Sequence, residues 1–281
     1  MTLSCLNHVK RCAFSISAPL GQRPPPPPQA VLFTFAADRS GSMQSYGSAV
    51  VEQTNKLINE QKAFAVESGI PTFMTLTTFD DVAEDRMSKV NLNTKDTPTM
   101  RELVNWLSPR NCTRLLDTSI ECVDKLLDFR RKYVRKFSRE IQGLITNDSV
   151  RMIFALFTDG FDNASDWTAR DLSVKMQDFD THGGVAMFLA ANQDAIHTGG
   201  TFGFSKERSL TVGVTSRTAN SALGCTSTLL KSASAGERDV SYTQAMREES
   251  QDMYDSPNDS GGDNTDDDSY NMVNSIRPTR M

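Results

Sequence analysis

The run Val31-Leu32-Phe33-Thr34-Phe35-Ala36-Ala37 passes without a break into Asp38-Arg39-Ser40-Gly41-Ser42. Its first seven residues are an apolar run of strand length, as expected of a strand covered on both faces. The stretch then stops at a carboxylate and a cluster of small polar residues. A second dense apolar run, residues 152–158, stops in the same way at Asp159-Gly160.

Working outward, residues 45–67 read as a helix with Tyr46, Ala49, Val50, Leu57, Ile58 and Phe64 on one stripe, ended by Ser68-Gly69. Residues 71–79 and 86–92 read as two strands joined by a short turn, so the third strand is expected to be antiparallel. A helical turn or two around 100–107 and a loop at 108–113 follow. Ile120, Val123, Leu127, Val134 and Phe137 then recur at helical spacing. Helix 168–180, strand 185–190, a loop through Asn192-Gln193-Asp194, strand 209–213 and helix 217–234 complete the pattern. Alternation of this kind predicts an α/β fold, a doubly wound, mostly parallel six-stranded sheet flanked by helices. Such a sheet binds its ligand beyond the carboxyl ends of its strands, where strand order reverses. Helices on both faces put the strands ending at Asp38 and Asp159 side by side.

Composition sets the domain limits. The 281 residues carry a net charge of −5, concentrated after Glu248, where acids recur without an intervening base as far as Asp268. Proline fills positions 24–28. Neither end has enough apolar surface to offset its ordering entropy. The expected organisation is a disordered Pro-rich arm at 1–29, one domain at 30–238 and a disordered acidic tail at 239–281. The arm lacks acids and carries Lys10, Arg11 and Arg23, a composition shared with organelle transit segments. No stretch approaches the roughly 18 apolar residues of a membrane-spanning helix. The basic cluster Arg130, Arg131, Lys132, Arg135 and Lys136 falls on a helix and reads as a solvated face, so neither nucleic acid nor membrane is an expected partner. Cys5, Cys12, Cys112, Cys122 and Cys225 show no zinc-type pairing and read as free thiols of a reducing, intracellular and cytoplasmic setting. A glycan on the Asn111-Cys112-Thr113 sequon would sit on the site proposed below, a further argument against secretion.

Asp38, Ser40 and Ser42 present one carboxylate and two hydroxyls from alternate residues, and Gly41 is expected to allow the sharp turn that converges them. With Thr113 and Asp159 they supply oxygens from three loops. This is the donor chemistry of a hard cation such as Mg²⁺, which takes about six oxygens and keeps some waters.

Asp38-Arg39-Ser40-Gly41-Ser42 matches the Asp-x-Ser-x-Ser motif of the metal-ion-dependent adhesion site, and on it the chain resembles the von Willebrand factor A-type (Rossmann-like) domains. Thr113 before Arg114-Leu115-Leu116-Asp117 resembles the family's metal-site threonine, although Asn111-Cys112 stands where glycines are usual. Asp159 in Phe157-Thr158-Asp159-Gly160 is similar to the family's Thr-Asp-Gly acid. Residues 160–165 and 191–194 look like intracellular or microbial members. The likeness spans residues 30 to about 235. It implies Mg²⁺ (or Mn²⁺) held by Asp38, Ser40, Ser42, Thr113 and Asp159, with a partner's Asp or Glu completing the shell.

Simpler readings exist for single residues. Asp38 alone suits an N-cap, and Asp80 and Asp81 suit a turn. Asp162, Asn163 and Asp166 suit a solvated loop or the rim of the site, and His182 a helix end. Capping does not explain Asp38, Ser40, Ser42, Thr113 and Asp159 together. The expected function is therefore a cation-dependent protein-binding module, an adaptor or complex subunit rather than an enzyme. The alternatives are a Mg²⁺-dependent phosphoryl-transfer or hydrolase enzyme, which lacks a phosphate-cradling loop and an evident base, and a partner of an AAA-type ATPase.

Overall fold

Strand β1 (Ala30–Asp38) is buried at all nine positions, as its unbroken apolar character requires. Its alternate side chains feed two cores. Val31, Phe33, Phe35 and Ala37 pack with Leu57, Ile58, Leu223 and Leu230 on one face of the sheet. Leu32 and Ala36 pack with Ile120, Val123, Leu172 and Phe179 on the other. The computed structural model describes residues 27–251 apart from 161, 192 and 193. Cys5, Cys12, His8, Asn192-Gln193, most of the Pro-rich arm and the acidic residues from Asp252 onward lie outside the described residues.

After β1 come a 3-10 turn (Gly41–Tyr46), α1 (Ala49–Ser68), β2 (Thr72–Phe79), β3 (Ala83–Asn91), α2 (Met100–Trp106), α3 (Leu115–Val134) and the short α4 (Arg139–Gln142). The second half holds β4 (Val150–Thr158), α5 (Ala169–Thr181), β5 (Gly184–Ala191), α6 (Ala195–Thr201), β6 (Ser209–Val212), α7 (Ser216–Ala235) and α8 (Gln244–Glu249). The sheet order is β3-β2-β1-β4-β5-β6. All neighbours are parallel except β2 and β3, so the six-stranded, doubly wound sheet and its antiparallel hairpin are as the sequence predicts. The order reverses between β1 and β4, and the carboxyl ends of those strands carry Asp38 and Asp159.

Several boundaries differ from the sequence reading. The helix expected over 45–67 is divided at Gly47, whose φ of 54° ends the 3-10 turn before α1 begins. Helix α3 ends at Val134, so Phe137 lies beyond it, with its N–H donating to Val134 O at 3.1 Å. Helices α4, α6 and α8 have no amphipathic signature and were not expected. Helix α6 contains Gly199-Gly200 yet forms because Asp194 accepts hydrogen bonds from Ile196 N (2.9 Å) and His197 N (3.1 Å).

The folded body also continues past Arg238, into residues that composition assigns to the tail. Val240 and Tyr242 are buried. Tyr242 Oη and Thr226 Oγ1 are 2.8 Å apart, and Arg247 donates to Ser209 O at 2.6 Å and Lys206 O at 2.9 Å. Few apolar residues suffice there because the surface they cover is already formed.

Candidate metal centre

Asp38 is 1% exposed at the end of β1. Its Oδ1 accepts from Ser40 N at 2.7 Å and its Oδ2 from Thr158 Oγ1 at 2.6 Å. It caps no helix. The residue flanking the 3-10 turn is Ser40, which makes no side-chain cap, so helix capping does not account for the acid. Ser40 Oγ lies 3.1 Å from Ser42 Oγ, and Ser42 Oγ donates to Asp159 Oδ1 at 2.7 Å. Three of the sequence-selected residues are thus joined in one chain of contacts, with Asp38 held to Ser40 at its base.

Thr113 reaches the same point from the loop before α3. A methyl group on Gly160 would stand 3.0 Å from Thr113 Oγ1 and 3.7 Å from Ser42 Oγ. Thr113 and Ser42 therefore both lie beside Gly160, which brings Thr113 up to the linked set of Asp38, Ser40, Ser42 and Asp159. Thr113 is buried, and its backbone is clamped by Asn163, whose Oδ1 accepts from Thr113 N (2.8 Å) while its N–H donates to Thr113 O (3.0 Å). Asp162 Oδ1 accepts from Leu115 N at 2.8 Å and Leu116 N at 3.3 Å, capping α3. Asp117, at the start of α3, accepts in return from Asp166 N (3.1 Å) and Trp167 N (2.9 Å). Asp162 and Asn163 are therefore rim-shaping residues that fix Thr113, not members of an unengaged loop.

Two expectations about loop residues change. Gly41 does not adopt a positive φ, and an added Cβ would make only an ordinary 3.6 Å contact with Asn111 O, so glycine's freedom is not what converges the motif. Asn111 does take a positive φ, 59°, the left-handed region that asparagine tolerates better than most side chains. Asn111 O accepts from Gly41 N at 3.2 Å, and its Nδ2 donates to Asp81 Oδ1 at 2.9 Å. Asparagine thus supplies the backbone shape that a glycine would, and Cys112 points its thiol to solvent.

Sequence reasoning missed Arg39. It is 2% exposed and lies beneath the loop among acids. Its Nε is 3.1 Å from Asp80 Oδ2 without hydrogen-bond alignment. Its terminal nitrogens donate to Trp106 O at 3.3 Å and to Glu84. Asp80, fully buried, also accepts from Arg110 and from Val82 N at 2.9 Å. Burial alone would raise the Asp80 carboxyl, but the Arg110 and Val82 hydrogen bonds and the Arg39 charge hold it below the usual range. The acid at the end of β2 makes the expected turn, its Oδ1 accepting from Val82 N two residues on, and also anchors this ion-pair network. The signal available in sequence was an arginine inside a metal motif and acids at the end of the adjacent strand.

Electrostatically the centre is short of positive charge. Burial pushes Asp38 up to about 6 from 3.8, against hydrogen bonds from Thr158 and Ser40, and the neighbouring Asp159 charge adds to the rise. Burial likewise raises Asp159, partly offset by Ser42. Asp159 Oδ2 is buried with no hydrogen-bond partner. Two buried carboxylates, one oxygen unsatisfied and hydroxyls alongside fit a hard cation, which would supply the missing charge. Among the described residues no group of three or more His, Cys, Asp and Glu side chains could hold a metal, so a cation here would depend on the serine and threonine oxygens.

A pH dependence follows. An acid that ionises near 3.8 when unfolded and near 6 when folded leaves the native chain holding more protons between those values. Stability contributed by this group therefore falls as pH rises through that window, by about 3 kcal/mol in all. Denaturant unfolding in chelator at pH 4.5 and 7 should show native protein losing ground to Asp38→Asn. Parallel behaviour of the two would contradict the raised ionisation.

With the sheet order, the single antiparallel edge hairpin and the three converging loops in place, the architecture can be stated. The fold agrees with the one that the resemblance to von Willebrand factor A-type domains implies. No protein-family model matches the chain, and no curated protein matches it. Among solved structures the chain is similar to von Willebrand factor type A from Catenulispora acidiphila, with TM-score 0.47 and 12% identity over 73% of this chain and 43% of that one. It is similar to proximal thread matrix protein 1 from the mussel byssus with a zinc-occupied adhesion-site motif (TM-score 0.45, 15% identity, 73% of this chain, 46% of that one). It is also similar to the PilB minor pilin of Streptococcus sanguinis (TM-score 0.47, 11% identity, 78% of this chain, 64% of that one). The chain spans less than two thirds of the length of each.

Proposed function

We propose that the chain is a divalent-cation-dependent protein-binding module, an adaptor or complex subunit, and not an enzyme. Asp38, Ser40, Ser42, Thr113 and Asp159 would hold Mg²⁺ or Mn²⁺, and an Asp or Glu of a partner protein would complete the shell. The observation that carries this reading is the unpartnered, buried Asp159 Oδ2 beside a second buried carboxylate. A cation held by two carboxylates and neutral hydroxyls keeps an affinity for one more anionic oxygen.

The surroundings support a protein ligand. Val82, Trp167, Ile196 and Val214 are 42–58% exposed, and each lies in the loop or helix that follows β2, β4, β5 or β6, at the strand ends that carry the site. Apolar side chains around a charged centre are the usual make-up of a protein-binding face. For phosphoryl transfer, the arginine inside the motif is already committed to Asp80 and Glu84, so it offers no clamp for a phosphate.

Calorimetric titration of Mg²⁺ and Mn²⁺ into metal-stripped protein tests the centre. One-site binding is expected in native protein and none in a folded Asp38→Ala, Asp159→Ala variant; equal behaviour of the two would remove the proposal. A milder change probes Thr113. Gly160→Ala places a methyl 3.0 Å from its hydroxyl, and the few tenths of an ångström it must yield should weaken cation affinity about tenfold with the fold intact. Unchanged affinity would mean that Thr113 is not a ligand.

A further inference from the structure

A polar cavity of about 150 Å³ lies between α3 and the β1-β2-β3 side of the sheet, with Thr34, Thr75 and Thr77 on its floor. Thr34 alternates along β1 with Leu32 and Ala36, so it faces α3 as they do. Leu126 and Phe129 of α3 form the opposite wall, and the exposed Ser88 and Lys89 of β3 stand at the mouth. None of Asp38, Ser40, Ser42, Thr113 and Asp159 lines this space. Thr34 precedes Asp38 by four residues, about 13 Å along the strand.

The sheet is irregular here. Met74 pairs with Val90 and Leu76 with Met87, so Ser88 and Lys89 together oppose Thr75 in a bulge. Lys89 takes a φ of 52°, the left-handed region that a lysine rarely enters. Its N–H donates to Thr75 Oγ1 at 3.1 Å, and its Nζ lies 5.1 Å from the centre of the Phe129 ring. Bulges re-aim side chains in this way beside binding sites.

The cavity is rich in donors and short of acceptors. Thr34 is 3% exposed, and its hydroxyl makes no hydrogen bond among the described residues. Thr75 Oγ1 accepts from Lys89 N, which leaves its O–H to donate. The carboxylate in the lining, Asp85, is engaged already. Its Oδ1 accepts from Thr77 Oγ1 at 2.8 Å, and both its oxygens accept from Lys125 Nζ, at 3.1 and 3.0 Å. Lys89 forms no ion pair among the described residues, Asp85 being taken by Lys125 and Asp128 by Lys132. Burial pushes the Cys122 thiol in the lining up to about 12, so it adds no negative charge.

We propose that this cavity binds a small carboxylate, whose oxygens accept from the Thr34 and Thr75 hydroxyls and the Lys89 ammonium while its apolar end meets Leu126 and Phe129. A cavity of this volume admits a molecule about the size of benzene. Hydrogen bonds to an ionised acceptor are stronger than those to a neutral one, so the unanswered donors select an anion.

Titration of propionate into the full chain, followed by NMR, tests the site. Chelator is present throughout, so that no cation at Asp38 and Asp159 draws the probe. Propionamide, of the same shape and without charge, is the control. Saturable shifts at the Thr34 and Thr75 methyls and the Lys89 amide are expected with propionate, and binding about tenfold weaker with propionamide. Thr34→Val keeps the shape and removes the hydroxyl. Lys89→Gly keeps the left-handed backbone, which glycine adopts freely, and removes the ammonium. Each should weaken propionate binding about tenfold with the fold intact. Absence of any saturable shift would mean that the cavity holds water alone and would overturn the proposal. Equal binding of propionate and propionamide, or unchanged affinity in Thr34→Val and Lys89→Gly, would overturn it as well.

Discussion

In an Asp159→Asn variant, Mg²⁺ and Mn²⁺ binding should disappear while the metal-free domain becomes more stable. The two effects have one cause. Asp159 is 6% exposed, its Oδ1 is satisfied by Ser42 Oγ, and its Oδ2 has no partner. Leaving a buried acceptor unsatisfied costs about 1–3 kcal/mol, and burial already disfavours the charged form. Asparagine keeps the shape and the oxygen facing Ser42 and leaves an amide nitrogen where Oδ2 stood, so the gain comes from removing the buried charge. A gain of about 1 kcal/mol at neutral pH in chelator is expected.

With cation present the order should reverse, because a ligand at a hundred times its dissociation constant stabilises native protein by about 2.7 kcal/mol, and the variant lacks that gain. Unfolding in urea with chelator and with excess Mg²⁺, for both proteins, shows the crossing. If Asp159→Asn were less stable in both conditions, Asp159 would be a structural acid, and its unpartnered oxygen would be no sign of a ligand.

The second large effect lies beneath the site. Asp80→Ala should cost about 3–5 kcal/mol, the loss typical of breaking a buried ion pair from one side. Arg39 is 2% exposed and would keep only Glu84 and the Trp106 carbonyl. Arg110 would lose its buried acceptor and Val82 N its carboxylate partner. Asp80→Asn, which retains an acceptor for Val82 N, should lose less. Because Arg39 N donates to Phe79 O and Arg39 O accepts from Arg110 N, the loop that carries Ser40 and Ser42 should loosen as well. Cation affinity should therefore fall in proportion to the stability loss. A urea midpoint shifted by less than about 1 kcal/mol would show that Arg39 finds other partners and that the network is replaceable.

Residues 31–42 illustrate how far periodicity reaches. An unbroken apolar run ended by an acid is the local signature of a central parallel strand, and β1 and β4 both carry it, so the doubly wound sheet and the acids Asp38 and Asp159 were readable from type and spacing, while Thr113 was picked out by the resemblance to the A-type motif. The antiparallel hairpin was readable too, because the gap between β2 and β3 is too short for a crossover. By contrast, α6 and α8 carry no periodic stripe. They form on surfaces that exist only once the sheet is closed, anchored by Asp194 in one case and by Arg247 and Tyr242 in the other.

What the sequence by itself determined is the chemistry and the order: which strands are central, which residues bring carboxylate and hydroxyl oxygens, and which loops carry them. These are local properties, set by side-chain type and by the period of burial. Tertiary structure alone decided how the charges are shared. Asp38, Asp80, Asp117 and Asp159 are all buried acids near one pole of the sheet. Asp80 is answered by arginines and Asp117 by Arg114 and backbone N–H groups. Asp38 is held by a backbone N–H and a hydroxyl, and Asp159 by a single serine hydroxyl. Whether a carboxylate is neutralised or left wanting a cation depends on neighbours brought from distant parts of the chain, because Coulomb and desolvation energies follow distance in space and not position in sequence.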